Sequence, residues 1–388
     1  PAVEDVPRAR PRPGPGARGR RLLLLLAVAA IPALLARLVV LPFQVASPSM
    51  EPGLRVGDRL LVLADLVDPR ERRPWDVAFF DRGLDPAVPE GVSAVVKRVV
   101  SWGDEFVAVR DGDLWAGPTR QKLALRAKPD DVVRELLVPV HSGEGLLPPW
   151  SGPGMDADEA LTRVESSAGM LRYAATIRDA THGAGVVSVD GSTAVRDTAL
   201  RVVVGAGEGG LVLQLRIAAH TFGAVLPAGG GARLHHNLGG GQVAETDAVG
   251  PLEPGQTLLF WHVDGRLRLF VDDQLVLEHE PGPRAPAGAL AHNGPSLGAL
   301  DGWRELRRVE VLRDIHYTAD GDHGTRPGGP TTPALVPPAH VFLLGDQSQS
   351  SRDSRHFGPV DGNRLLGRPW LRYGPSGRRQ GLSARGIP

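Results

Sequence analysis

Cysteine is absent from the 388 residues, which excludes disulfide frameworks, thiolate nucleophiles and cysteine-based zinc sites. Charge of one sign is not in excess: the formal net charge is +0, so no global field points to nucleic acid or to an acidic partner. Aromatic residues are scarce at 5%, whereas 49 glycines and 35 prolines are present; that balance disfavours a helical bundle and favours β-structure rich in turns. Lysine is the rarest basic residue. Only Lys97, Lys122 and Lys128 occur, and the other 41 of the 44 basic residues are arginine. Only lysine readily gives up its proton, so each lysine stands out. The length suits two modest domains.

Residues 1–21 are rich in Pro, Gly and Arg and read as a disordered basic tail, with six arginines (Arg8, Arg10, Arg12, Arg18, Arg20, Arg21) against Glu4 and Asp5. Residues 22–44 follow as an apolar run interrupted by Pro32 and Arg37. As a helix, Leu22–Phe43 would span about 33 Å, sufficient for a bilayer core. The basic flank predicts a cytoplasmic N-terminus and an extracytoplasmic remainder. A cleavable secretory signal is the other reading, but the run is long and lacks a clear small-x-small cleavage site.

Immediately beyond lies Ser47-Pro48-Ser49-Met50-Glu51-Pro52-Gly53-Leu54, a loop set by proline and glycine, followed by the apolar Gly57-Asp58-Arg59-Leu60-Leu61-Val62. Alone, Ser49 would be a turn residue. A partner is offered by Ala94-Val95-Val96-Lys97-Arg98-Val99-Val100, a β-branched strand carrying one lysine. Burial pushes a lysine pKa down, and a neutral amine can accept a serine proton. Lys97 alternating outward to solvent is the competing reading. A third segment runs from Val341 through Gly345-Asp346-Gln347 to Ser351-Arg352-Asp353-Ser354-Arg355, a strand entering a dense polar loop. Asp353 with Arg355 can order that loop, and Ser351 is a candidate to orient an amine.

These segments, in this order behind one anchor, resemble the bacterial type I signal peptidases, and the closing Leu366-Gly367-Arg368-Pro369-Trp370-Leu371-Arg372-Tyr373 resembles that family's final strand. The resemblance covers roughly residues 20–117 and 335–375. It implies Ser49 as nucleophile and Lys97 as general base. Ser47 and the Ser49 N–H would form the oxyanion hole, Ser351 would orient Lys97, and Asp353–Arg355 would be a supporting ion pair. Val45, Met50, Val95 and Val96 would form apolar subsites for small side chains. It further implies a membrane-bound serine endopeptidase of the plasma (inner) membrane, single-pass with the catalytic domain outside. Its partners would be signal-peptide-bearing preproteins, the lipid bilayer and the secretion translocon, with no nucleic acid, cofactor or metal. The chain departs from the family pattern at Pro74-Trp75-Asp76 (usually Arg-Gly-Asp), at Gln347 (usually Asn) and at Gly53. A catalytically silent anchored protein whose sandwich recognises a surface ligand is the alternative. A self-cleaving Ser–Lys repressor-type protease is a third reading, disfavoured by the anchor and by the lack of a helix-turn-helix pattern.

Between the two matching segments the pattern is of short strands and glycine-rich turns: Leu200–Val204, Leu211–Ile217, Thr257–Val263, Arg266–Val271, Gln274–Glu278 and Arg308–Ile315. Asp264-Gly265 and Asp111-Gly112 signal hairpins. The fold class expected is therefore mostly β: a split signal-peptidase-type β catalytic domain, an inserted antiparallel β-sandwich loosely similar to concanavalin-like or laminin-G-like domains, and one N-terminal transmembrane helix. The expected divisions are a tail over 1–21, an anchor over 22–44, the first catalytic segment over 45–117, the insert with its linkers over 118–334, the second catalytic segment over 335–375 and a disordered tail over 376–388. His235-His236 and the Asp156/Asp158/Glu159 group lack metal-site spacing and read as solvated loops.

Overall fold

Asx–Gly and Asx–Asx pairs fold the β-rich sequence back on itself. Asp111-Gly112 and Asp264-Gly265 both take positive φ at their two central residues (52° and 89°; 50° and 73°), the mirror-image turn whose twist matches paired strands. In the computed structural model, the described residues are 40–64, 73–81, 94–143, 149–152, 162–179, 191, 193–237, 241–281, 294–318, 332–373 and 379–380. The expected tail 1–21, most of the expected anchor 22–44, the Asp156/Asp158/Glu159 group and nearly all of 376–388 lie outside them.

The first unit opens with β1 (Val40–Gln44), β2 (Arg59–Ala64), β3 (Val77–Asp81), β4 (Ala94–Trp102), β5 (Glu105–Arg110), β6 (Asp113–Gly117), β7 (Ala124–Leu125) and helix α1 (Asp130–Leu136). The insert supplies β8 (Val138–Gly143), β9 (Trp150–Ser151), β10 (Arg163–Glu165), β11 (Leu171–Tyr173), β12 (Thr198–Gly207), β13 (Gly210–Ile217) and β14 (His220–Leu226). It continues with β15 (Ala232–His236), β16 (Gly241–Thr246), β17 (Thr257–Val263), β18 (Arg266–Val271), β19 (Gln274–His279), β20 (Gly294–Leu300) and β21 (Trp303–Arg313). The chain then returns as β22 (Ala334–Val336), β23 (His340–Leu344), helix α2 (Ser354–Phe357), β24 (Val360–Asp361), β25 (Leu365–Tyr373) and β26 (Arg379–Gln380).

The returning strands do not form a separate layer. The first sheet runs β1-β2-β25-β3-β4-β23-β24, so β25 lies between β2 and β3 and β23 lies beside β4. A second, four-stranded sheet of order β22-β5-β6-β7 completes this unit. The insert is a sandwich of two sheets, β10-β21-β12-β17-β18-β19 with β8 on β21, and β16-β15-β14-β13-β20-β11-β9. Strand alternation explains its core: Leu211, Leu213 and Leu215 from one sheet meet Leu200, Val202, Leu258 and Phe260 from the other.

Two differences from the sequence expectation have physical causes. Residues 40–44, expected as the end of the anchor, form strand β1, because Val40–Gln44 pair in register with Leu63–Arg59 of β2. Among the described residues no helix is long and apolar enough to cross a membrane. The expected 118–334 boundary also shifts, since α1 packs on both units. Val132 and Leu136 join Trp75, Val107 and Phe342, while Val133 and Leu137 join Leu259, Trp261 and Phe270 on the sandwich's outer face. A helix places residues one apart on different faces, so seven residues cement the two units. Lys128 adds a buried polar tie, with Nζ 2.8 Å from Asp264 and 2.7 Å from Asp314.

Candidate active site

Ser49 sits on the 3-10 turn Pro48–Met50 directly after β1. The turn is held from inside: Met50, Leu54, Leu60 and Val62 form an apolar cluster beneath it, with Val45 and Phe79. Lys97 lies on β4, opposite Ala78 of β3. Both are buried, and Lys97 Nζ is 2.5 Å from Ser49 Oγ. Burial is the main force on the lysine and lowers its pKa; Asp353 and Asp346 raise it and Arg355 lowers it, leaving about 8 against an ordinary 10.5. The amine is thus within about a pH unit of being a free base at neutrality. Ser47 Oγ lies 3.2 Å from Ser49 Oγ and is exposed.

The loop after β23 clamps the turn from the other side. The Gln347 N–H donates to the Ser49 carbonyl at 3.1 Å. That loop is ordered by Asp353 and Arg355, both fully buried, which meet through Arg355 Nε at 2.9 Å and Nη2 at 3.0 Å. Arg355 also donates to the Ser348 and Ser351 carbonyls and to Thr318, and Asp353 accepts from the Gly345 N–H at 3.0 Å. Gly345 has no room for a side chain: a Cβ there would stand 2.1 Å from Ser351 Oγ and 2.5 Å from the Ser49 carbonyl oxygen.

Ser351 departs from its expected role. Its Oγ is buried and makes no hydrogen bond, so it does not hold Lys97 here. The hydroxyl is packed over Gly345, and Lys97 is engaged by Ser49 instead. The four expected substrate-lining residues are also placed differently from one another. Met50 is completely buried under the turn and Val45 nearly so. Val95 packs against the Phe80–Leu343 cluster and Val96 against the Met50–Phe79 cluster, because neighbours on a strand face opposite ways. Met50 therefore shapes the loop from below, and Val95 and Val96 cannot face one common subsite.

Two residues of the site carry no role in the sequence pattern. Arg98 and Asp346 form a buried bidentate pair at 2.7 Å in each arm, and Arg98 also donates to the Trp75 carbonyl at 2.7 Å. Burial alone would lower the Arg98 pKa; Asp346 more than offsets it and holds the guanidinium charged. The signal was available: an arginine inside a run of valines must find a buried carboxylate. Trp75, where the family pattern has glycine, adopts φ of 81°, strained for a bulky residue. It is retained by three bonds: its N–H to Val99 O, its carbonyl from Arg98, and its indole N–H to Ala127 O.

Comparison with known proteins bears on the same stretches of the chain. Residues 19–131 and 304–373 match the family described as signal peptidase, peptidase S26. The chain is 52% identical over 40 residues to signal peptidase I of Bacillus caldolyticus, covering 10% of this chain and 22% of that protein. It is 44% identical over 48 residues to the mitochondrial ATP-independent inner membrane protease subunit 1a of Arabidopsis thaliana, covering 12% and 29%. The matched stretches thus span under a third of either relative's length. Among solved structures, galectin LEC-6 of Caenorhabditis elegans is 16% identical with a TM-score of 0.23, covering 32% of this chain and 87% of that one. Through its split first unit, which carries the Ser49 turn, the Lys97 strand and the Asp353 loop, the chain is similar to the signal peptidase, peptidase S26, family, whose model matches just under half of its residues.

Proposed function

We propose that this protein is a membrane-anchored serine endopeptidase that removes signal peptides from translocated preproteins. The observation carrying the reading is the buried 2.5 Å contact between Ser49 Oγ and a lysine whose pKa is lowered to about 8. The neutral Lys97 amine takes the Ser49 proton as Oγ attacks the scissile carbonyl carbon. The tetrahedral oxyanion is met by the Ser49 N–H and the Ser47 hydroxyl. The Lys97 ammonium then returns its proton to the leaving amine, and the acyl–Ser49 ester is hydrolysed by a water that Lys97 deprotonates.

An approach for extended substrate supports the same reading. Among the described residues, β23 pairs only with the Arg98–Trp102 end of β4, so Ala94–Lys97 offers a strand edge to which a peptide could add, beside the reacting groups. A membrane anchor in the apolar run preceding β1 would keep this edge near the bilayer, where a signal peptide emerges.

The test is cleavage of a purified preprotein by the full chain, with N-terminal sequencing of the product. Ser49→Ala and Lys97→Ala should each abolish cleavage while circular dichroism shows the wild-type fold. Normal cleavage by both variants would refute the assignment.

A further inference from the structure

The β16-β15-β14-β13-β20-β11-β9 sheet of the insert has one face in the core and one turned outward, and the outward face is polar over several strands. On β13, Leu211, Leu213, Leu215 and Ile217 are buried, while Gln214 and Arg216 point away. The register extends this face sideways. Gln214 stands opposite Ser296 of β20, Ser296 opposite Arg172 of β11, and Arg172 opposite Ser151 of β9. One step along, Arg216 stands opposite Thr221 of β14 on one side and Gly294 on the other. Gly294 lines the same face without a side chain. The result is a groove of about 450 Å³.

The chemistry of the groove is one-sided. It is lined by two arginines and by Gln214, Thr221, Asn237 and Ser296, and by no carboxylate among the described residues. Arg172 and Arg216 are exposed and have no ion-pair partner among those residues. From strand spacing and rise, their Cα atoms are roughly 12 Å apart. A ligand spanning them meets positive charge at two places, with amides and hydroxyls that both donate and accept in between.

We propose that this groove binds an acidic saccharide, a short hydroxyl-rich chain bearing carboxylates. Charge complementarity selects the anion. The fold selects the saccharide over an acidic peptide: β13 and β20 are interior strands with both neighbours already paired. No ladder N–H or C=O is open there for a peptide strand, so recognition falls to side chains alone. The site is independent of Ser49 and Lys97.

The test is isothermal titration of the full chain in detergent with three probes: trigalacturonate, a neutral galactotriose, and hexaglutamate. Trigalacturonate should bind, weakening as salt rises. Arg172→Ala and Arg216→Ala should each weaken it at least tenfold, and Arg216→Lys should weaken it less. Unchanged melting of these surface variants and unchanged preprotein cleavage would show that fold and peptidase site are intact. Three results would overturn the proposal: no binding of trigalacturonate at millimolar concentration, galactotriose binding as tightly with the alanine variants unaffected, or hexaglutamate binding as tightly as the acidic sugar.

Discussion

The pH dependence of cleavage follows from where Lys97 lies. Its pKa falls from 10.5 to about 8, chiefly because it is buried. At pH 7 an ordinary lysine is neutral in roughly one molecule in three thousand, whereas Lys97 is neutral in roughly one in ten. If neutral Lys97 is the base, kcat/KM should rise about tenfold per pH unit below 8 and level off above it. The same shift has a stability cost. Between about pH 8 and 10.5 the folded chain has released a proton that the unfolded chain still holds, so stability rises with pH across that window. Below pH 8 the buried ammonium costs on the order of 3 kcal/mol. Lys97→Met should therefore raise the urea midpoint at pH 7, with the gain vanishing above pH 10.5, while abolishing cleavage. Lys97→Arg should also be inactive, since arginine does not release its proton. The assay is initial-rate cleavage of a fluorogenic peptide spanning a signal-peptide junction, from pH 6 to 10 at constant ionic strength. A flat profile, or a midpoint near 6.5 as for a histidine, would refute the role given to Lys97.

Other outcomes follow from the same packing. Gly345→Ala should lose cleavage and destabilise by about 1–3 kcal/mol in urea unfolding, because its Cβ would meet the Ser49 carbonyl oxygen and Ser351. Arg98→Met should cost about 3–5 kcal/mol by leaving Asp346 buried and unpaired, and adding Asp346→Leu should recover much of that loss in the same assay. Ser351→Ala should lower kcat/KM less than tenfold, since its hydroxyl makes no hydrogen bond to Lys97; a thousandfold loss would show that it turns toward Lys97 during turnover.

The legible regions of this molecule are those written in short patterns. The hairpins at Asp111-Gly112 and Asp264-Gly265 were readable because a two-residue turn with positive φ demands such residues. The sandwich strands were readable as short apolar runs between glycine-rich turns, β17 and β18 to the residue. Lys97 could be singled out because lysine is so rare in the chain and only lysine could serve there as a base. What depended on distant contacts was not readable. Residues 40–44 continue the apolar run without a break, and only pairing with β2 makes them a strand. Helix α1 is too short to carry a clear period, and its two faces take meaning from two cores that meet only in three dimensions. Arg98 and Asp346 are 248 positions apart, so their pairing is set by β23 docking beside β4. Nothing in the local sequence at Ser351 says which way its hydroxyl turns.

The absence of cysteine offers the most direct test of the nucleophile. Ser49→Cys would carry the chain's sole thiol, with the Lys97 amine beside it to draw off its proton. Preprotein cleavage by this variant is measured before and after alkylation, with peptide mapping to confirm the site, and wild type is treated in parallel. The account predicts slower cleavage at the same bond by Ser49→Cys, abolished by alkylation, and no effect of the reagent on wild type. Undiminished cleavage by fully alkylated Ser49→Cys would contradict it.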